Sequence, residues 1–197
     1  MQIQSKPCGS YMTNCYIVTT NGKDIIIDPG VDATQWVKDN ADNPVAILNT
    51  HGHFDHIWSN AELKEHFNIP IYIHKDDAPL LDKDPFGLGT PPSQADILVD
   101  TQDALDIEGI EVKFLHFPGH TPGCCVIEIA QHWFSGDFIF KQSIGRYDFP
   151  LSDADLMLQS LHRVMEYEKD YPIYPGHGDQ TSLAQEKRVI PFFISQI

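Results

Sequence analysis

Apolar residues gather along this chain in short runs closed by Gly, Pro, Asn or Asp, and between several of the runs they recur at helical spacing. Asn14–Thr19 and Asp24–Asp28 read as two strands joined at Asn21-Gly22, a hairpin dipeptide, and the second strand ends in the turn Asp28-Pro29-Gly30. A helix is expected over Ala33–Asn40, a buried strand over Val45–Thr50, a helix over Ile57–Phe67 closed by Asn68 and Pro70, and a strand over Pro70–His74. The stretch DKDPFGLGTPPSQA, 82–95, is too rich in Pro, Gly and Asp for either element and predicts a long irregular loop of the kind that shapes substrate sites. Ala104–Ile107, Ile110–His116, Cys124–Ala130 and Trp133–Ser135 follow as strands, with turns at Glu108-Gly109, Pro118-Gly119 and Ala130-Gln131. A helix opening at Ser152 or Asp153 and running to about Glu168, with Asp155 in the capping-box position, a strand over Tyr171–Tyr174 and a helix over Ser182–Val189 complete the pattern.

Strands interspersed with helices in both halves predict an α/β chain, two sheets each covered by helices, as one four-layered αββα sandwich over residues 1–197. The length, 197 residues, is that of one domain, and 42% hydrophobic with 21% charged residues is a globular composition. No window has the run of apolar residues that spans a bilayer, so no membrane partner is expected. The start MQIQSKPCGS lacks the apolar core of a secretory signal, and Cys8, Cys15, Cys124 and Cys125 lack CxxC spacing; buried thiols in a reducing cytoplasm are the expectation. A formal charge of −15 with scattered Lys and Arg repels polyanions, which argues against a nucleic-acid partner; oligomeric state is not legible.

The chemistry concentrates in THGHFDH, 50–56. His51 and His53, two apart on an extended segment, project to one side, whereas the adjacent Asp55 and His56 diverge where the chain turns into a helix. Three later segments repeat the setting of a glycine-flanked turn after a strand: His120 in PGHTPG, Asp137 in SGDF and His177 in YPGHGD. Alone, His120 or His177 reads as a hydrogen-bonded loop histidine and Asp137 as a turn cap; together these seven donors read as a metal centre. His66, His74, His116, His132 and His162 lack such a setting and read as surface or core residues.

The ordered set THGHFDH, GHTPG, SGD and PGHG, with NCYIV and IIIDPG before it, resembles the metallo-β-lactamase superfamily, and specifically its glyoxalase II-like (hydroxyacylglutathione hydrolase-like) branch. The resemblance implies an αββα sandwich with one metal held by His51, His53 and His120, a second by Asp55, His56 and His177, and Asp137 bridging both. A carboxylate can give one oxygen to each ion, which a neutral imidazole cannot do. It also implies a role for Asp28 in orienting a ligand, with capping of its turn as the alternative. Two divalent ions are the implied cofactors; nitrogen and oxygen donors without cysteine favour zinc, with iron and manganese also compatible.

A hydroxide bridging two metals is a nucleophile at neutral pH, and Asp55 is the ligand placed to orient it. Typical β-lactamases lack an aspartate at the Asp137 position and must protonate a nitrogen leaving group, whereas a thiolate with a pKa near 8.5 departs readily. The expected activity is therefore hydrolysis of a thioester of the S-hydroxyacylglutathione type. KQSIGRYDFP follows the Asp137 strand, and the resemblance makes Gly145, Arg146, Tyr147 and, less strongly, Lys141 candidates for substrate binding, Arg146 as a fork for a glutathione carboxylate. The 20 residues after His177 are too few for the helical C-terminal domain of full-length glyoxalase II, so the chain resembles the short bacterial type and another acyl thiol is a possible substrate. Two alternatives stay open: a mononuclear iron persulfide dioxygenase using His51, His120 and Asp137, and a module in which metals only staple loops. An esterase or lactonase of the same fold is a further variant of the hydrolase.

Overall fold

The computed structural model describes residues 1–100 and 104–197. One six-stranded sheet runs in the order β1 (Gln2–Cys8), β2 (Thr13–Thr20), β3 (Lys23–Ile27), β4 (Pro44–Leu48), β5 (Ile71–His74), β6 (Ile97–Val99). The other runs β14 (Thr181–Ser182), β13 (Pro172–Pro175), β10 (His132–Gly136), β9 (Cys125–Ile129), β8 (Ile110–His116), β7 (Leu105–Ile107), and β11 (Ile139–Phe140) pairs with β12 (Ser143–Ile144) as a small ribbon. Helices α1 (Thr34–Asn40), α2 (Phe54–Ile57) and α3 (Asn60–Phe67) belong to the first half; α4 (Ala154–Met165), α5 (Leu183–Glu186) and α6 (Ile190–Ile194) belong to the second.

The strand sequences explain the layering. On β3, Ile25 and Ile27 join the core between the sheets while Ile26 packs with Val37 and Leu63 under the helices. On β9, Cys125, Ile127 and Ile129 face the other sheet while Val126 packs with Met157 and Leu161 of α4. Both faces of a central strand are thus buried, which is why these strands read as unbroken apolar runs. The expected αββα sandwich is the architecture found, and among the described residues no helix is long and apolar enough to cross a membrane.

Several elements depart from their expected bounds. The helix expected over Ile57–Phe67 begins earlier, inside the histidine motif, and is interrupted at Ser59. There the backbone N–H donates to Pro29 O (2.9 Å) and the hydroxyl to Gly30 O (2.7 Å), so the chain is tied to the turn after β3. The helix expected to reach Glu168 ends at Met165, and its cap is Asp153, whose Oδ1 accepts the Leu156 N–H; Ser152 Oγ instead donates to His120 O (2.7 Å). Ser182–Val189 is helical only over Leu183–Glu186, and α6 follows as a separate segment. Edge strands β1 and β6 and the short β11, β12 and β14 were not anticipated: β1 carries Pro7 and polar residues that only an edge tolerates, and the others are too brief for a pattern.

Candidate metal centre

The site lies where strands of both sheets end. β3 and β4 run parallel, as do β10 and β13, so the loops after them leave from one edge. Pairing of Gly136 with Pro175 places Asp137 beside the His177 turn. The two sheets are stitched together there, Asn14 N–H donating to Gly176 O (2.7 Å) and Cys125 N–H to Thr50 O (2.9 Å), while within the second sheet Gly176 N–H donates to Gly136 O (2.8 Å). Two glycines are required by this crowding. A Cβ on Gly176 would lie 2.3 Å from Asp137 Oδ1, and one on Gly136, whose φ is +48°, 2.2 Å from Thr50 Oγ1.

All seven donors converge. His51, His53 and His120 form one group and Asp55, His56 and His177 another, each with donor atoms within 4.8 Å of one another. Asp137 stands between: Oδ1 is 3.2 Å from His56 Nε2, and Oδ2 is 3.5 Å from His120 Nε2 and 3.4 Å from His177 Nε2. Asp55 Oδ2 lies 3.4 Å from His177 Nε2 and 3.6 Å from His56 Nε2, and accepts the Thr13 hydroxyl at 2.6 Å.

The ring nitrogens facing away from this centre are engaged. His56 Nδ1 donates to Asp28 Oδ2 (2.9 Å), His120 Nδ1 to Arg146 O (2.7 Å), His177 Nδ1 to Tyr11 O (3.0 Å) and His51 Nδ1 to Thr50 Oγ1 (3.0 Å). With protons on Nδ1, Nε2 is the nitrogen turned inward in each ring, and in His56 and His177 it gives a lone pair only once its own proton has left. The Nε2 atoms of His51, His56 and His120 and Oδ1 of Asp137 are buried without a hydrogen-bond partner. Unpartnered polar atoms at such depth are costly unless a cation takes their lone pairs, so the donor set fits metal ions. His74, Asp76 and His116 also bring donor atoms within 4.8 Å of one another, with the two rings stacked (4.0 Å, 13°), but there His116 Nε2 lies 2.8 Å from Pro122 O and His74 Nδ1 accepts the Asp76 N–H at 3.3 Å.

Asp28 has more than its turn to hold. Its carboxylate accepts the Thr50 N–H (2.8 Å), the Thr50 hydroxyl (2.6 Å) and His56 Nδ1–H, so it orients His56 directly and His51 through Thr50. Sequence reasoning missed Thr50, Thr13 and Asp77. Asp77 is fully buried and accepts Gly52 N–H (2.8 Å), Thr121 Oγ1–H (2.6 Å) and Gly123 N–H (2.6 Å), joining the first histidine loop to the His120 loop. The leading Thr of THGHFDH was a usable signal for Thr50; nothing in HKDDAP singles out Asp77.

Electrostatics divides the two groups. Burial, with neighbouring imidazoles, holds His51 well below its ordinary value and His53 at about 3, so both are neutral. Burial also opposes protonation of His177, but hydrogen bonds to Asp137 and Asp55 raise it to about 9 in the metal-free protein; His56 is raised well above its ordinary value by Asp137, Asp55 and Asp28. Burial would raise Asp137 and Asp55, yet His56 and His177 hold Asp137 well below the carboxylate range and Asp55 at about 2. A raised histidine stabilises the metal-free fold fully below its ordinary 6.5 and loses that contribution as pH rises through about 9. Metal entering the Asp55/His56/His177 group must displace these protons. We therefore expect calorimetry in buffers of different ionisation enthalpy, at roughly pH 7 to 8, to record proton release on filling that group, fading as pH passes 9. His51 and His53 are already proton-free, so filling their group releases fewer.

Of the expected substrate residues only Arg146 lines the cleft above this centre, a cavity of about 700 Å³. Its guanidinium is already engaged: Nε donates to Asp148 Oδ1 (2.8 Å) and Nη2 to Asp148 Oδ2 (2.7 Å), with the plane 4.3 Å over Phe149. The other three lie off that lining: Lys141 pairs with Asp179 at 2.9 Å, Tyr147, partly buried, packs against the core beneath α4, and Gly145 supports the floor, where a Cβ would meet Asp137 O. The walls are aromatic instead, a feature not anticipated from sequence beyond the expectation that loop 82–95 shapes the site.

Residues 8–177 match the metallo-beta-lactamase superfamily. Hydroxyacylglutathione hydrolase GloC of Haemophilus influenzae is 32% identical over 219 residues, covering 100% of both chains. Among solved structures, the BLEG-1 B3 metallo-beta-lactamase is 33% identical with a TM-score of 0.87, covering 97% of this chain and 99% of its own. A di-iron-bound form of TTHA1623 is 32% identical with a TM-score of 0.82, covering 96% and 99%. By sequence and by fold, this chain belongs to the metallo-beta-lactamase superfamily.

Proposed function

We propose that this protein is a binuclear metallohydrolase of acyl-thiol esters, of the glyoxalase II type. His51, His53 and His120 would hold one divalent ion and Asp55, His56 and His177 the other, with Asp137 placed between the two groups. The observation that carries this reading is the placement of Asp137, with one carboxylate oxygen against His56 and the other against His120 and His177. Likeness to GloC supports the choice of substrate bond. Zinc suits the donor set, and iron, which TTHA1623 holds as a pair, suits it as well.

When bound, the ions supply a water acidified enough to attack at neutral pH and Lewis acidity toward a carbonyl oxygen. The chain's own residues do the positioning. Asp55, fixed by Thr13 and next to His177, would orient the attacking water. Asp28 and Thr50 keep the rings of His51 and His56 in the tautomer that leaves Nε2 free. The thiol product is acidic enough to leave without a dedicated acid, which a β-lactam nitrogen is not.

Likeness to BLEG-1 motivates a second reading, β-lactam hydrolysis. Metal analysis of the purified protein, followed by assay against acyl-thiol esters, a cephalosporin and a glutathione persulfide, separates the possibilities. Two metals per chain with thioester turnover well above cephalosporin turnover is the expected result. Cephalosporin as the better substrate, or oxygen uptake with the persulfide at one iron per chain, overturns the proposal.

A further inference from the structure

The cleft above the metal centre is walled by rings from distant parts of the chain. Tyr11 meets Phe54 edge-to-face at 5.1 Å, Phe54 meets Phe86 at 5.7 Å, and Phe86 meets Phe149 at 5.9 Å. Each ring braces the next, so the wall is formed before any ligand arrives. It stands directly on the metal-facing groups, with Phe86 5.3 Å from His53 and Phe149 6.0 Å from His120. At the mouth, Tyr11 and Leu88 remain 56% and 48% exposed although both line the cavity, leaving apolar surface that nothing in the described chain covers.

Charge is distributed in the opposite sense. Among the described residues lining the cleft, Arg146 is the one Lys or Arg, and Asp148 occupies its fork. Lys141 beyond the lining is paired with Asp179. No unpaired basic side chain lines the cleft to receive the carboxylates of a tripeptide thiol.

With the carrier extending from sulfur toward the mouth, a thioester carbonyl at the metal-facing donors would leave its acyl side chain against Phe86 and Phe149, the rings beside His53 and His120. A small hydroxyacyl group would leave those rings uncovered and bury its hydroxyl against them without a partner. Resting on the thioesterase reading above, we propose that the substrates carry a bulky apolar acyl group, aromatic or branched, seated between Phe54, Phe86 and Phe149. Asp148, paired with Arg146 although the two side chains are 62% and 61% exposed, weakens the pull of that arginine on a carboxylate of the thiol carrier and so reduces the preference for a charged carrier.

The test uses the metal-replete protein and four thioesters, lactoyl and phenylacetyl, each on glutathione and on the small neutral thiol N-acetylcysteamine. We expect kcat/KM for phenylacetyl to exceed that for lactoyl by about tenfold or more on either carrier. The two carriers should agree within about threefold, and Asp148→Asn should shift the ratio toward glutathione by about fivefold, as expected for one solvent-screened charge pair. Phe86→Ala should bring the phenylacetyl-to-lactoyl ratio toward one; because both substrates meet the same protein, partial misfolding cancels in the ratio. Equal or better turnover of lactoyl on both carriers, or a glutathione preference of about thirtyfold in the unaltered protein, overturns this inference while leaving thioester hydrolysis standing. Failure to hydrolyse any of the four overturns the thioesterase reading itself.

Discussion

Alanine at Asp137 is expected to cut thioester hydrolysis by roughly a thousandfold, since a Lewis acid contributes several kcal/mol to such a transition state and about 1.4 kcal/mol is worth tenfold in rate. The reason is the double engagement of this carboxylate. Its two oxygens face His56 on one side and His120 and His177 on the other, so its loss removes a donor from both groups at once. Metal content should fall below two per chain. Asp137 is buried among charged and polar neighbours, so the variant also removes a negative charge that in the metal-free protein is matched by His56 and His177. Asp137→Asn preserves volume and one oxygen while losing the same charge, so a smaller loss of melting temperature than in the alanine variant, with turnover lost in both, separates the packing defect from function. Near-normal rates in either variant would mean that the carboxylate spans nothing, and the two-ion centre would have to be abandoned.

Removal of Asp77 should have the largest effect on stability. Three donors on two loops, Gly52 N–H, Thr121 Oγ1–H and Gly123 N–H, end on this one buried side chain. Left unpaired, each costs about 1–3 kcal/mol, so Asp77→Ala should lower unfolding stability by about 3 kcal/mol after partial relaxation, read from the shift in denaturant midpoint at constant slope. Burial pushes the Asp77 carboxyl up against the pull of those hydrogen bonds, so the charge is held at a cost. What that cost maintains is the spacing between the His51/His53 loop and the His120 loop, and apparent metal affinity should therefore fall with stability, by about 10–100-fold. A variant that melts early but binds metal as tightly as the parent would reduce Asp77 to a purely structural tie.

Hydrophobic runs and turn residues act over a few positions, so the central strands, the Asn21-Gly22 hairpin and the αββα layering were legible in the sequence. The same locality marked the candidate donors: HxHxDH and the three glycine-flanked turns stand out within a handful of letters, and the fold brings their side chains together. A boundary failed where a distant partner intervened: Ser59 breaks the helix after THGHFDH because Pro29 and Gly30 compete for its N–H and hydroxyl. Of the two expected starts of α4, Asp153 takes the cap, because His120 O takes the Ser152 hydroxyl.

The substrate side was least legible. Gly145, Arg146 and Tyr147 are consecutive, yet one lies beneath Asp137, one turns to the cleft and one packs, partly buried, against the core, and which goes where depends on packing against Asp137, Phe149 and α4. By itself, then, the sequence determined which side chains have metal-binding chemistry and that they sit in turns after strands. Tertiary structure alone decided that parallel pairs β3–β4 and β10–β13 bring those turns to one edge, that Asp28 and Asp77 hold the loops, and that Arg146 is already spent on Asp148. Donor identity is a property of single residues. Distances, unpaired lone pairs and masked charges exist only between residues far apart in the chain, once folding has brought them within a few ångströms.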